Sequence, residues 1–273
     1  MKFFLIIILS LSTLAAHLPA SSAAAKVVRM ISSDWPPYSG SDLPEQGATI
    51  KVVRAAFAKM GYHLIVEHHP WERAISISRH NPEYIGILPI AYSKKREKTC
   101  IFSQPVGANM PTLAYHRDDP VEWDKLTDLK GIPIGTVRGY LNSVEFDRLA
   151  AENILTVRPV ATDNINLRKL AAHRLRLAVV DLHVLHYLLE TDPDLVEERK
   201  KDKKALPLLI PSKIIEKSDL FICFSRSRKG KRMNALFSKG LSKIDPEKIF
   251  SRYMNDLKTA LDQDRLISGP GKP

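Results

Sequence analysis

Two cysteines in 273 residues, Cys100 and Cys223, are too few for a disulfide-dense scaffold or a cysteine-rich zinc module. After residue 25 no apolar run approaches the roughly 20 residues that cross a bilayer, which argues against a membrane-spanning body. The chain has no G-x-S-x-G elbow, P-loop or G-x-G-x-x-G, so serine-hydrolase, nucleotide and dinucleotide chemistries have no motif to stand on. Neither His68-His69 nor the pair His183/His186 has a Cys, Asp or Glu at zinc-ligand spacing, so these histidines are read as a strand end and a helix surface, and no metal or cofactor is expected. The formal charge of +11 suggests nucleic acid, but the basic runs at 198–204 and 226–232 contain no aromatic residue on which a base could stack. The charge is better read as attraction to acidic solutes or anionic envelope surfaces.

What the chain does have begins with an export pattern: Lys2, an apolar stretch from Phe3 to about Ala16, and the small-residue exit Ala23-Ala24-Ala25. Residues 1–25 are predicted to be a cleaved secretory signal, with the mature chain starting at Lys26 in the periplasm. No cysteine near the cleavage point offers a lipid anchor. Cys100 and Cys223 both lie in strand-like runs, KTCIFS and LFICFS, and in an oxidising compartment they are either a disulfide or two buried thiols.

Past the leader, β-branched runs alternate with helical patterns. KVVRMIS, HLIVEH and YIGILPI read as strands, with helices over Ala48–Met60 (Ile50, Val53, Phe57 and Met60 on one face, Gly61 as the stop) and PWERAISIS. A second unit repeats the order through IPIGTV, SVEFDRLAAE, LTVRPVA, NINLRKLAAHR, LAVVD and LHVLHYLLE. A charged loop at 198–204, the strands ALPLLI and LFICFS, and two helices finish the chain. The alternation predicts an α/β protein of two lobes, each a mostly parallel sheet flanked by helices, with a ligand cleft between them at the carboxyl ends of the strands. The expected division is 26–112 for the first part of lobe one, 113–212 for lobe two, 213–265 for the return to lobe one, and a tail at 266–273.

The ordered set DWPPY, GATIKVVRAAFAKMGY, YSKKREKTCIFSQP, LKGIPIGTVRGY, AVVDLHV and LFICFSR resembles the bacterial family 3 extracellular solute-binding proteins, which deliver polar amino acids to ABC transporters and share their fold with the ligand cores of ionotropic glutamate receptors. The resemblance covers nearly all of residues 26–258. It implies that Arg96, six residues before Phe102, binds a ligand carboxylate, a task its planar fork performs better than the neighbouring lysines. Ser93 holds the family's Thr position. Asp181, ending LAVVD, matches the residue that takes a ligand ammonium, and it also suits the cap of the following helix. Asp34, Trp35 and Tyr38 fall on the first loop at the cleft mouth. Trp71 and Arg73 match a Pro-Trp-x-Arg-Ala variant that lines the cleft. The turn at Gly139 and Tyr140 is where the family offers backbone N–H groups to an anion.

The chain departs from the family at Ile85, Arg176 and Pro89, and Gly139-Tyr140 replaces the usual Gly-Thr or Gly-Ser, which points to a more acidic, larger or aromatic ligand. The expected protein is a monomeric, non-enzymatic solute binder serving an inner-membrane permease. Two alternatives are a sensory or assembly protein on the same fold, and a cyclohexadienyl-dehydratase-like enzyme with Glu72 or Asp34 as general acid.

Overall fold

The computed structural model describes residues 26–201 and 208–267; the expected leader, residues 202–207 and residues 268–273 lie outside them. The first stretch runs β1 (Lys26–Ser32), α1 (Ala48–Ala58), β2 (Tyr62–His68), α2 (Trp71–His80), β3 (Gly86–Ala91), α3 (Lys94–Glu97), β4 (Cys100–Phe102) and β5 (Gly107–Asn109). The second runs β6 (Pro111–His116), β7 (Pro133–Val137), α4 (Val144–Ala151), β8 (Thr156–Val160), α5 (Asp163–Ala171), β9 (Leu177–Asp181), α6 (Leu182–Thr191), α7 (Pro193–Lys201) and β10 (Leu209–Ile214). The chain then returns as β11 (Ser218–Ser225), α8 (Arg228–Leu241) and α9 (Pro246–Ile267).

Two sheets result, one ordered β2-β1-β3-β11-β4 with β5 also on β11, the other β10-β6-β9-β7-β8. The β-α-β stretches supply a parallel trio to each sheet, β2-β1-β3 and β8-β7-β9. The chain's passages between sheets add antiparallel partners, β11 with its neighbours on one side and β6 with β10 on the other, so each sheet is mixed. The two crossings run side by side. Ile215 N–H donates to the Pro111 carbonyl at 2.8 Å, and the Ser218 hydroxyl donates to Asn109 Oδ1 at 2.7 Å.

Three elements differ from the sequence reading. Residues 111–116, read as a connection, form β6; five of its six residues are buried, so the strand lacks the alternation that marks a half-exposed one. The charged run at 198–204 is helix as far as Lys201, which pairs with Glu197 at 3.0 Å and Glu198 at 3.6 Å one turn back; its last three residues lie outside the described ones. β10 extends to Ile214, past the expected strand at 205–210, of which residues 205–207 are likewise not described.

Lobe one is held by α1, whose Ile50, Val53 and Phe57 face the core as their spacing predicts, joined by Val52 and Ala56. Burying a side chain such as Phe57 contributes about 2–3 kcal/mol. α8 lies across α1 with Gly240 against the Ala56 carbonyl, where any Cβ would collide. Cys100 and Cys223 are bonded, their Cα atoms 5.4 Å apart on neighbouring strands. They are 123 positions apart in sequence, and the stretch between them contains the whole second sheet. In the chain-entropy account, releasing a loop of that length costs about 5 kcal/mol. The double variant Cys100→Ser/Cys223→Ser should therefore unfold at clearly lower urea concentration than the oxidised protein, and a midpoint unchanged by the substitution would show that the bond adds nothing to stability.

Candidate functional site

The carboxyl ends of five parallel strands meet in one crevice: Ser33 follows β1, Pro89–Ala91 end β3, Tyr140–Asn142 follow β7, Asp163 follows β8, and Val179–Asp181 end β9. This is where open α/β sheets place ligands, because the loops there diverge and helix N-termini point inward. The cavity there measures about 60 Å³. A single water needs about 10–15 Å³ of such space, so this arrangement has room for a handful of waters or one small solute. Trp35, Trp71 and Tyr140 line it, with Tyr140 edge-on to both indoles at 6.2 Å and 5.9 Å.

Arg96 lies on the short α3 turn with its guanidinium reaching across the crevice. Nη1 donates to the Ala91 carbonyl at 2.9 Å and Nη2 to the Gly139 carbonyl of the opposite lobe at 3.0 Å. Its charge sits 5.7 Å from the Trp71 ring centroid. Burial pulls its pKa down to about 10, with Asp147 opposing that shift and Arg79 adding to it, so the group stays protonated at neutral pH. Lys94, Lys95 and Lys98 are exposed.

The Gly139 carbonyl also accepts the Trp71 indole N–H at 3.1 Å. Gly139 has φ +77°, and a Cβ there would come within 3.2 Å of that indole nitrogen, so the turn needs glycine twice over. The turn was expected to offer N–H groups to an anion. Instead Tyr140 N–H donates to the Val137 carbonyl at 3.2 Å and Asn142 N–H to Asp147 at 3.2 Å, and it is a carbonyl that faces Arg96 and Trp71. Arg138 forms an ion pair with Glu72 at 3.6 Å across the same gap.

Asp181 is 4% exposed and lines the cavity while capping α6. Oδ1 accepts from His183 N–H at 2.8 Å, Val184 N–H at 3.1 Å and the Tyr38 hydroxyl at 3.0 Å; Oδ2 accepts from Met110 N–H at 2.6 Å. Four donors leave little capacity for a ligand ammonium. Burial, and then the Asp181 charge with its hydrogen bond, raise the Tyr38 pKa well above the ordinary value.

Sequence reasoning missed Asp163, the first residue of α5. It is 6% exposed, lines the cavity and shares a hydrogen bond with the Tyr140 hydroxyl. Burial raises its pKa to about 7, and the neighbouring Asp181 charge adds to the rise. The signal was available in TDN, a capping pattern directly after a parallel strand, where the crevice must lie.

The remaining predicted residues divide. Trp35 and Trp71 line the cavity with Tyr140. Tyr38 is fully buried behind them, its ring 4.4 Å from Trp35. Ser93 caps α3, its hydroxyl accepting Arg96 N–H at 3.2 Å, and so orients the arginine without lining the cavity. Asp34 is exposed and accepts Ser41 N–H at 2.8 Å, and Arg73 is exposed on α2; neither lines the cavity. Among the described residues no group of three His, Cys, Asp or Glu could hold a metal ion, and no helix is long and apolar enough to cross a membrane.

No protein-family model and no curated protein matches the sequence. Solved structures do match in shape. A histidine kinase sensor domain with similarity to periplasmic binding proteins superposes at TM-score 0.70 and 20% identity, over 84% of this chain and 95% of that one. The GluR0 ligand-binding core from Nostoc punctiforme, in complex with L-glutamate, does so at 0.65 and 16%, over 84% and 98%. An amino acid ABC transporter substrate-binding protein from Streptococcus pneumoniae bound to L-arginine matches at 0.65 and 14%, over 87% and 96%. The fold is therefore that of the two-lobed periplasmic binding proteins.

Two outcomes follow from the acids. Between pH about 4 and about 7 the folded chain keeps a proton on Asp163 that the unfolded chain has lost, so stability should fall as pH rises through that window and level off above it. Asp163→Asn removes the titration; the difference in thermal midpoint between variant and wild type should grow in the variant's favour from pH 5 to pH 7.5, and parallel curves would refute the assignment. Tyr38→Phe removes one donor from a buried carboxylate and should cost about 1.5–3 kcal/mol in urea unfolding.

Proposed function

We propose that the protein reversibly captures a small, amino-acid-like solute in the periplasm, closes its lobes around it and presents it to an inner-membrane ABC permease. The observation that carries the reading is the polarity of the crevice: one buried-side cation, Arg96, stands on lobe one, and two buried carboxylates, Asp163 and Asp181, stand on lobe two. A ligand carboxylate would take the place of the Gly139 carbonyl on Arg96, forming two charge-assisted bonds where one neutral acceptor now sits. A ligand ammonium would draw Asp163 into its ionised form, since Asp181 is already engaged by four donors. Closure is then a two-state rigid-body motion biased by contacts to both lobes at once. The amino acid ligands of the structurally similar binding proteins, and the export pattern of residues 1–25, support this reading; a single-chain, cofactor-free monomer suffices for it.

The likeness to a kinase sensor domain favours a second use of the same capture, in which the closed form docks on a signalling partner. Loss of labelled-ligand uptake on deletion of the protein would favour the permease; intact uptake would favour the sensor. The dehydratase alternative is weakened by Glu72 and Asp34, neither of which lines the cavity.

The direct test is a thermal-shift screen of the mature chain against amino acids, small carboxylates and amines. A ligand at about 100 times its Kd adds about 2.7 kcal/mol, which for a chain of this size raises the midpoint by several degrees. Arg96→Ala should abolish the shift for carboxylate-bearing hits. A hit that binds Arg96→Ala as tightly as wild type would remove Arg96 from the site, and silence across the panel from ligand-free protein would refute solute capture.

A further inference from the structure

A second, larger cavity of about 680 Å³ opens on lobe one between α2, β11 and the start of α8. Its volume lies in the range of small-molecule sites. Ile75, Ile87 and the Cys100–Cys223 bond line its apolar part. Its polar lining includes Arg79, Arg226 and Lys229, with Arg96 reaching it from the cleft side, and no Asp or Glu lines it.

Two features mark the cations here. Several arginines elsewhere find carboxylates, as Arg29 does in Glu67 and Glu83, Arg168 in Asp192, and Arg176 in Asp119. Arg79 and Lys229 form no ion pair among the described residues, and Arg226 has only the Glu97 backbone carbonyl, at 2.8 Å. Arg79 moreover faces Arg96 closely enough to oppose its charge. The second feature lies at a helix end. The positive end of the α8 dipole favours acids, yet its first turn contains Arg228 and Lys229 and no acid at all. The basic run 226–232, which the cleft does not use, thus concentrates positive charge at an already positive helix end, beside an unfilled apolar hollow. An anion in the hollow would relieve both conflicts, and its apolar body would cover the isoleucines.

We propose that this groove is a second binding site, for a small soluble anion with an apolar body, such as an aryl or short acyl phosphate, whose charged head lies among Arg79, Arg226 and Lys229. The site is independent of the cleft ligand, although Arg96 borders both.

Calorimetric titration of the mature chain with phenyl phosphate, and with inorganic phosphate for comparison, tests this. Saturable one-to-one binding is expected, tighter for phenyl phosphate than for inorganic phosphate because of the apolar floor. Arg79→Ser/Lys229→Ser, both at exposed positions, should weaken it at least about tenfold with the thermal midpoint preserved, whereas Asp163→Asn in the cleft should leave it unchanged. Binding that survives the double variant, that is lost equally in Asp163→Asn, or that does not saturate by roughly 10 mM would overturn the proposal. Capture by anionic-lipid vesicles without binding of phenyl phosphate would overturn it too, in favour of a membrane-contacting surface.

Discussion

The carboxylate of Asp181 is the point at which both lobes and their connection are tied together. It is nearly out of contact with water, a position that costs several kcal/mol for an ion unless its oxygens are satisfied. Here they are satisfied from three directions: the Tyr38 hydroxyl comes from lobe one, the Met110 N–H from the first crossing, and the His183 and Val184 N–H groups from the start of α6 in lobe two. The α6 N-terminus adds the favourable end of its dipole. No partner can leave without exposing a buried charge to an unpaired state, so the crossing strands, the DWPPY loop and α6 are held in one arrangement. Trp35, stacked on Tyr38, inherits its place from that arrangement, and with it the cavity inherits one wall.

Across the crevice the holding is weaker and of a different kind. The lobes meet through the Gly139 carbonyl, which takes one bond from Arg96 and one from Trp71, and through the half-exposed Arg138–Glu72 pair. Exposed ion pairs of this kind contribute about 0–1 kcal/mol, and neutral carbonyl acceptors contribute modestly. The lobes are thus held more firmly at the crossings, where a buried carboxylate has four donors, than across the crevice, where the contacts are weak. On the proposed reading, a ligand carboxylate would compete with the Gly139 carbonyl for Arg96, and it would shift the lobes only by its differential affinity for their two arrangements.

Much of this was legible in the sequence because it rests on periodicity. α1 could be placed from Ile50, Val53 and Phe57, and the strand LAVVD from its unbroken apolar run into an acid. Arg96, Asp181, Trp71 and Tyr140 were named from the family resemblance, and the structure brings them to one crevice. Polar side chains are harder to place. Ser93 and Asp34 have the side chains that both ligands and local N–H groups seek, and in the fold the local N–H groups take them. Asp163 failed in the opposite direction, since an acid in the first turn of a helix reads as ordinary dipole compensation, and only the folded crevice reveals that it is also buried beside Asp181 and Tyr140. β6 and the end of α7 were missed because burial on both faces removes alternation from one, and because charge hides helical pairing in the other.

The choice of arginine at position 96 has its own physical logic. Burial lowers its pKa from 12.5 to about 10, which still leaves it charged at neutral pH. A lysine starts about two pKa units lower, so the same burial would leave it less securely charged. The fork matters as much as the charge. One nitrogen is anchored on the Ala91 carbonyl of its own lobe, so the other is already aimed across the gap before any ligand arrives. An ammonium, with rotatable donors on a flexible stem, would need to be ordered at the moment of binding, and that entropy would be subtracted from the affinity. Arg96 is therefore aimed from lobe one toward lobe two, projecting from a turn that the Ser93 hydroxyl caps.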